Sequence, residues 1–583
     1  MSNRLTYIIA GILLFVMFFT AFLSIKDDTL TFDEVSHIPS GYSYLTQKDY
    51  RLNAEHPPLI KDLAAFPLLF LDLNFPKDHS SWVQEENPVW WLQFDFGNQF
   101  LYHSENDPDK ILLWSRLPMI LLLILLGLLI FLWTKESFGN KAALLAIFLF
   151  SFSPTFLAHG RLVATDVGAA FGVVLATYFW LKFLKEPIKK NIVLAGLAFG
   201  VAMLLKFSLI LLLPFFGIIT LIYALYEKKL LKYIALSFLV LTIGMVCIVW
   251  PVYQYHILDY PIEKQIRDTE FLLSTTTVPK PLADLDIAMI SNPVSRPFAQ
   301  YFLGILMVLN RSTTGNTTYF LGEISAAGWK TYFPVVYSIK EPLTLHILTI
   351  IALLGLAWHI KEPFWKRPFQ RTKKWLKSHF AEFSMLLFIF IYWATSLTSN
   401  LNIGVRHLLP TFPFIFILVS IAITKYLKEP FLKIKYGVLV VLIFWQASSV
   451  MAVYPHFLAY FNELAGGPRH GYLYVTDSNL DWGQDLKRLE KWTNDNNIDK
   501  IYLDYFGGGN PEYYLKEKYA PWWGTRDPNE LKESYLAVSV NSLQGGRAIP
   551  VKGFNQPSNH YYWLYNHRPI AKIGYSIFIY YVE

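Results

Sequence analysis

The sequence predicts a polytopic α-helical membrane protein that carries a small α/β domain at its C-terminal end, outside the membrane. Three observations carry that prediction. Apolar runs of about 18 residues or more recur along the chain, and each is long enough to cross a hydrocarbon core as a helix. Hydrophobic residues make up 54% of the 583 residues and charged residues only 16%, against roughly 25% charged in soluble domains. Finally, Lys and Arg crowd the connections on one side of the apolar runs and are scarce on the other.

The candidate spans are 6–25, 111–134, 141–158, 165–184, 191–205, 207–226, 233–253, 343–360, 380–400, 408–427 and 436–454, about eleven transmembrane helices in all, several near the lower limit of length. The connections between 141–158 and 165–184, and between 191–205 and 207–226, are very short. The first run is long for a signal-peptide core and lacks a small-x-small cleavage site, so it reads as a retained span.

With the N-terminus in the cytoplasm, the inside loops carry Lys135 and Lys141, then Lys185, Lys189 and Lys190, then Lys228, Lys229 and Lys232. Later inside loops hold Lys361, Lys366, Arg367, Arg371, Lys373, Lys374 and Lys377, then Lys425, Lys428, Lys433 and Lys435. The short outside connections have only Arg161, Lys206 and Arg406. The chain is therefore expected to be a multi-pass protein of the cell (plasma) membrane. The net charge of +7 does not point to nucleic acid, because the basic residues sit in short loops between spans. The single cysteine, Cys247, excludes an intramolecular disulfide.

Three long segments are expected outside: 26–110, 254–342 and 455–583. The first contains an amphipathic run, Leu59–Leu71, able to rest on the membrane surface, and then turns Trp-rich and acidic (Trp82, Trp90, Trp91, Glu85, Glu86). The second is aromatic, which suggests loops near the interface rather than a free domain. The tail reads as alternating strands and helices: strands at Tyr472–Thr476, Lys500–Phe506, Tyr535–Val540 and Ser576–Val582, and helices at Gln484–Asn494 and Pro511–Lys516. The division is a membrane core over 1–455 and an α/β domain over 456–583.

The chemistry concentrates in the stretch Thr31–Leu69. Adjacent carboxylates, Asp33 and Glu34, stand where an apolar helix meets water, an expensive place for charge. His37 follows, then a rigid His56-Pro57-Pro58-Leu59 turn with Lys61 two positions on. A second acid, Asp166, opens a span on the same side, where Thr165 or Asp166 would also serve as a helix cap. Cations on that face are Arg406 and His407, with Lys206, His56, Lys61 and Lys340. Arg406 suits a phosphate best, because its planar fork binds two oxygens. Lys61 is placed to snorkel from the amphipathic run. His56 either holds its loop or touches phosphate, and Arg116 reads as an interface anchor.

Phe32-Asp33-Glu34 followed by His56-Pro57-Pro58-Leu59-x-Lys61 resembles the first luminal loop of the protein O-mannosyltransferases. The likeness extends, more loosely, to the transferases that put aminoarabinose on lipid A. Both are multi-spanning GT-C glycosyltransferases that take sugar from a polyprenyl-phosphate carrier. The resemblance implies a membrane glycosyltransferase, mannosyltransferase-like, in which Asp33 is the base and Glu34 orients the acceptor or the base. It implies a polyprenyl-phosphate-linked sugar as donor, a protein, lipid or glycan as acceptor, and inversion at the sugar. Asp166, His56, Lys61, Lys206, Lys340, Arg406 and His407 are then the substrate-binding candidates. No cofactor is expected. Asp33, Glu34, Asp166 and a His have the chemistry to bind a divalent metal, but the resembled mannosyltransferases are metal-independent.

The resemblance stops short of the tail, and 254–342 is too short and irregular for the β-trefoil of the eukaryotic mannosyltransferases. In the tail, Asp477–Asp485 (DSNLDWGQD) is not an EF-hand, since its Gly falls one position late and Arg488 stands where the closing Glu belongs. It reads as a capped helix start or as an acceptor contact. Gly507-Gly508-Gly509 lacks nucleotide-fingerprint spacing. Two other function classes remain open: a transporter or flippase of lipid-linked sugars, and a non-catalytic polysaccharide-assembly subunit. A transporter would place ionisable groups near the midplane in repeated halves, whereas here they cluster at one face and no repeat is visible.

Overall fold

Long apolar helices alternate with three polar segments that pack against one another. The structure, a computed structural model, describes residues 2–84, 90–358, 368–427 and 431–583. Glu85, Glu86, Lys361, Lys366, Arg367 and Lys428 of the sequence analysis lie outside the described residues.

Among the described residues, eight helices are long and apolar enough to cross a membrane: Asn3–Ser24, Pro108–Phe138, Thr165–Lys185, Phe207–Glu227, Leu230–His256, Phe380–Thr398, Val405–Tyr426 and Leu432–Met451. A ninth is obtained if Tyr332–Lys340 and Leu343–Ala357, bent by 107°, count as one broken span. Against the about eleven runs expected, two among the described residues fall short of a spanning length, for local reasons. Run 141–158 breaks after Ser151, where the Ser153 side chain caps a new short helix that starts on Pro154. Run 191–205 is helix Lys189–Met203, 15 residues as expected and shifted by two positions. Apolarity was read correctly in both places, and only the first run was broken by a cap the periodicity does not show.

Close helix packing depends on small residues. Gly196, Gly200 and Gly244 meet backbone to backbone, such that a Cβ on Gly200 would lie 2.6 Å from the Gly244 carbonyl oxygen.

The first polar segment contributes Glu34–Gln47 and Leu59–Ala65, followed by a 3₁₀ turn over Phe66–Phe70 with Phe66, Leu69 and Phe70 exposed. The second is more regular than its sequence suggests. It holds helices Ile262–Ser274, Lys280–Ile290 and Arg296–Thr314 and a hairpin, β1 (Thr318–Phe320) with β2 (Glu323–Ser325).

The tail is an α/β unit. Strands β3 (Ile501–Asp504), β4 (Tyr519–Pro521), β5 (Ser534–Ser539), β7 (Ala571–Ile573) and β8 (Ile577–Val582) form a sheet in the order β4-β3-β5-β8-β7. β3 runs parallel to both β4 and β5, while β8 is antiparallel to β5 and β7. The expected strand at Tyr472–Thr476 is instead a 3₁₀ turn over Gly471–Leu473 and a single bridge from Val475 to Phe320. The backbone there bonds to the hairpin, through Leu321 N–H to the Tyr474 carbonyl, rather than to the tail's own sheet. A further strand, β6 (Ile549–Pro550), pairs in parallel with β2 and ties the tail to the second segment.

Candidate active site

Asp33 stands immediately before helix Glu34–Gln47, and its carbonyl accepts from the Ser36 and His37 amides, which starts the first turn. Its carboxylate turns towards a cavity of about 570 Å³. The polar end of this cavity is lined by Asp33, His37, His56, Lys206, Arg406 and His407. The other end runs between Phe207–Glu227, Arg296–Thr314 and Phe380–Thr398, along Phe207, Leu211, Ile305, Val308 and Leu309. Four of the seven substrate-binding candidates named from sequence, His56, Lys206, Arg406 and His407, thus share one chamber with Asp33.

Charge is balanced tightly at the polar end. Arg406 Nη1 donates to Asp33 Oδ2 at 3.1 Å and to Asp166 Oδ2 at 3.2 Å, and Lys206 Nζ donates to Asp166 Oδ1 at 2.5 Å. Asp166 is fully buried behind the two cations, in the first turn of Thr165–Lys185. No side chain caps that helix, so Asp166 serves ion pairing rather than the free amides. Arg406 is itself held from the tail: its Nε donates to Ser478 Oγ at 3.0 Å, and its guanidinium lies 4.2 Å from the Trp482 ring centre. Among the described residues Arg406 Nη2 makes no hydrogen bond, which leaves one arm of the fork for a ligand.

Two histidines sit edge to face, His37 and His56, with ring centres 5.1 Å apart. His37 Nδ1 is 2.8 Å from the Val163 carbonyl oxygen. A carbonyl only accepts, so Nδ1 carries the hydrogen and Nε2 is the free acceptor. Burial holds the His37 imidazole below its ordinary range in spite of the nearby Asp33 carboxylate. Burial drives His56 well below that range, and the His37, Lys61, Lys206 and Arg311 charges act in the same direction.

The adjacent acid behaves differently. Glu34 is fully buried and does not line the cavity. One oxygen accepts from Arg116 Nε at 2.9 Å and from the Val163 amide at 2.9 Å. The other accepts from Arg116 Nη2 at 2.6 Å and from the Thr31 amide at 2.9 Å. Glu34 fastens the start of its helix to Pro108–Phe138 and to the Val163 connection. Arg116, read from sequence as an anchor, is its buried counter-ion.

Two lysines named from sequence as substrate-binding candidates lie outside the cavity lining. Lys61 is buried on Leu59–Ala65, where its Nζ lies within 3.0 Å of Tyr44 Oη, Asn53 Oδ1 and the Asn53 and His56 carbonyl oxygens. It does not snorkel, because this face of the helix packs inward against Tyr44, Asn53 and His56, which supply the acceptors. It holds the His56-Pro57-Pro58 turn in shape. Lys340 donates to the Leu458, Tyr460 and Asn479 carbonyls and ties Tyr332–Lys340 to the tail. Neither lines the cavity.

Sequence reasoning missed a third group. Glu55, just before His56, accepts from the Trp90 indole N–H and from Arg311 Nη1, the latter at 2.8 Å, and all three side chains line the cavity. Arg311 ends the amphipathic helix Arg296–Thr314, and that amphipathicity was the available signal. Among the described residues, no group of three or more His, Cys, Asp or Glu is arranged to hold a metal ion.

Residues 112–253 match the family model of dolichyl-phosphate-mannose-protein mannosyltransferase. That stretch contains Arg116, Asp166 and Lys206 and excludes the first polar segment. The resemblance to membrane glycosyltransferases that use polyprenyl-phosphate sugars is met there. No curated protein matches the sequence. Among solved structures, the chain is similar to ArnT from Cupriavidus metallidurans bound to undecaprenyl phosphate (13% identity, 100% of this chain and 98% of that one, TM-score 0.46). It is also similar to the Archaeoglobus fulgidus oligosaccharyltransferase in the apo form (12%, 92% and 70%, TM-score 0.49). A third similarity is to the Saccharomyces cerevisiae protein O-mannosyltransferase Pmt1-Pmt2 complex bound to the sugar donor (10%, 78% and 90%, TM-score 0.48).

Proposed function

We propose that this protein transfers a monosaccharide from a polyprenyl-phosphate carrier to an acceptor hydroxyl at the outer face of the cell membrane. One observation carries the reading. A carboxylate, Asp33, and two cations, Arg406 and Lys206, meet at the polar end of a cavity whose other end is an apolar groove between two membrane helices, Phe207–Glu227 and Phe380–Thr398, and the helix Arg296–Thr314 of the second polar segment. A lipid phosphate has both of those parts. The match of residues 112–253 to a dolichyl-phosphate-mannose-dependent family supports the same donor class.

In this reading the polyprenyl chain lies along Leu211, Ile305 and Val308, and the phosphate sits against Arg406 and Lys206. Asp33 takes the proton from the acceptor hydroxyl. The acceptor oxygen forms a bond to the anomeric carbon from the face opposite the phosphate, so the product is inverted. The bond from that carbon to the phosphate oxygen breaks, and its electron pair leaves with the polyprenyl phosphate, whose charge the cations stabilise. Asp166 acts behind the cations, holding them in place rather than touching the sugar. No cofactor enters the reaction. The N-terminus is cytoplasmic and the tail extracytoplasmic. The acceptor is a protein, a lipid or a glycan.

The test offers radiolabelled polyprenyl-phosphate sugars, one at a time, to membrane extracts with the wild type or Asp33→Asn. Donor-dependent labelling that disappears in a folded Asp33→Asn supports the reading and identifies the sugar. Equal labelling by both removes Asp33 as the base. No labelling with any donor overturns the transferase.

A further inference from the structure

Two motifs of the tail, Asp477–Asp485 and Gly507–Gly509, have no part in the transfer step, yet both end at the active site. Ser478 and Trp482 are buried, at 0% and 1% exposure. Ser478 Oγ accepts from Arg406 Nε at 3.0 Å and donates to the Ile403 carbonyl at 2.5 Å, which closes a ring around Gly404. Asn479 Oδ1 accepts from the Val405 amide at 2.9 Å. The Trp482 ring covers the face of the guanidinium. The loop therefore meets the Ile403–Val405 main chain just before Arg406, and the guanidinium itself at its Nε edge and its flat face.

The same loop grips the chain that leads into Asp33. The Thr29 and Phe32 amides donate to the Gln484 and Trp482 carbonyls, each at 3.0 Å, and Thr29 Oγ1 donates to the Gly483 carbonyl at 2.7 Å. The glycines make this approach possible. A Cβ on Gly508 would lie 2.2 Å from the Thr31 carbonyl oxygen, and one on Gly507 would lie 2.5 Å from Gly483 Cα. Gly483 itself has φ +92°, a left-handed conformation that a side chain would strain. Phe506, just before the triple glycine, stacks on Phe32 with ring centres 5.2 Å apart.

The structure assigns Asp477–Asp485 to the active site as its positioning loop: Ser478 and Trp482 fix the Arg406 guanidinium, and the Trp482 and Gln484 main chain fixes the approach to Asp33. Arg406 and Asp33 are 373 positions apart in sequence, and this one loop holds them both. The inference rests on the reading of Arg406 as the cation that receives the donor phosphate. A guanidinium on a long side chain otherwise surrenders rotamer freedom each time a ligand binds, and fixing it beforehand removes that cost.

The test uses the full chain in detergent with undecaprenyl phosphate as probe, and compares Ser478→Ala, Trp482→Leu and Trp482→Phe. Ser478→Ala and Trp482→Leu weaken probe binding about tenfold, the effect of losing one contact to a charged group. Trp482→Phe keeps a ring face over Arg406 and retains most of the affinity. A loop that only glued the tail to the core would weaken binding equally with Arg406 present or absent. We therefore expect Ser478→Ala to have no further effect in an Arg406→Gln background, and an equal effect in both backgrounds overturns the positioning role. Amide hydrogen exchange over 403–407 gives a readout without ligand. Faster exchange there in Ser478→Ala supports the inference even where the wild type binds no lipid phosphate, an outcome that would sink the donor reading alone. Unchanged exchange overturns the inference whatever the lipid does.

Discussion

Arg406 Nη1 donates to Asp33 Oδ2 at 3.1 Å, so the proposed base and the proposed phosphate-binding cation are direct partners. The same nitrogen also serves Asp166. In the proposed reaction a donor phosphate binds at the open Nη2 and competes with Asp33 for the charge of the guanidinium rather than for the Nη1 hydrogen, which ties donor binding to the state of the carboxylate. Asp33→Asn is therefore expected to act in two opposite ways. Transfer falls about 10²- to 10⁴-fold with loss of the base, while lipid phosphate binds severalfold more tightly, because one negative charge has left the cavity. Binding of undecaprenyl phosphate, measured beside turnover, decides the matter. Weaker binding in a folded Asp33→Asn would mean that Asp33 helps hold the donor rather than competing with it.

Arg406 serves Asp33, Asp166 and Ser478 with Nη1 and Nε while Nη2 stays open, and only a planar fork does this. Arg406→Lys keeps the charge but cannot reach three acceptors and a phosphate together. The expected outcome is a donor KM raised about tenfold to a hundredfold. Lys206, with a single carboxylate partner, should tolerate Lys206→Arg far better. Steady-state kinetics of the two variants against one donor would check the contrast, and equal losses would remove the argument from fork geometry.

Much of this site was legible because its parts sit at segment ends with a fixed order along the chain: Asp33, then His56, Asp166, Lys206 and Arg406. What stayed hidden depends on directions that sequence does not carry. Asp33 and Glu34 are neighbours, but one precedes a helix and the other begins it, so their side chains diverge. One meets the cavity, and the other meets an arginine 82 positions later. Lys61 has a snorkelling pattern, yet three of the oxygen acceptors that hold it come from Asn53 and His56 and the fourth is Tyr44 of helix Glu34–Gln47. The helices were legible from apolar periodicity. The breaks at Ser153 and after Met203 depend on capping and length, and those signals are weaker than hydrophobicity. The tail's strands were mostly found, but its role beside Arg406 was not, because Ser478 and Trp482 act across 72 positions or more.

Glu34 and Lys61 lead to a prediction about folding rather than chemistry. Each is a fully buried ionisable side chain whose polar atoms are all hydrogen-bonded. Glu34→Ala leaves the Arg116 guanidinium buried without its carboxylate and strips partners from the Thr31 and Val163 amides. The expected cost is about 3–5 kcal/mol, seen as a clear fall in apparent Tm in detergent. Lys61→Met should fall by less, since its lost partners are neutral oxygens that partly regain contacts. A Glu34→Ala that melts like the wild type and yet fails to transfer would mean that Glu34 reaches the substrate.

Asp286 supplies a pH test far from the chemistry. It lies on helix Lys280–Ile290, fully buried, with neither carboxylate oxygen hydrogen-bonded among the described residues. Burial alone pushes its carboxyl up to about 8, against about 3.9 in an unfolded chain. Between those values the folded state holds a proton that the unfolded state has released. Folding therefore takes up a proton, and stability falls as pH rises from about 4 towards about 8, then levels off. Asp286→Leu removes that dependence. It should be more stable than the wild type, with a gain that grows by up to about 1.4 kcal/mol per pH unit within the window. Apparent Tm measured for both proteins at pH 5 and pH 8 checks the sign. A gain of the same size at both values would mean that the Asp286 carboxyl does not titrate on folding.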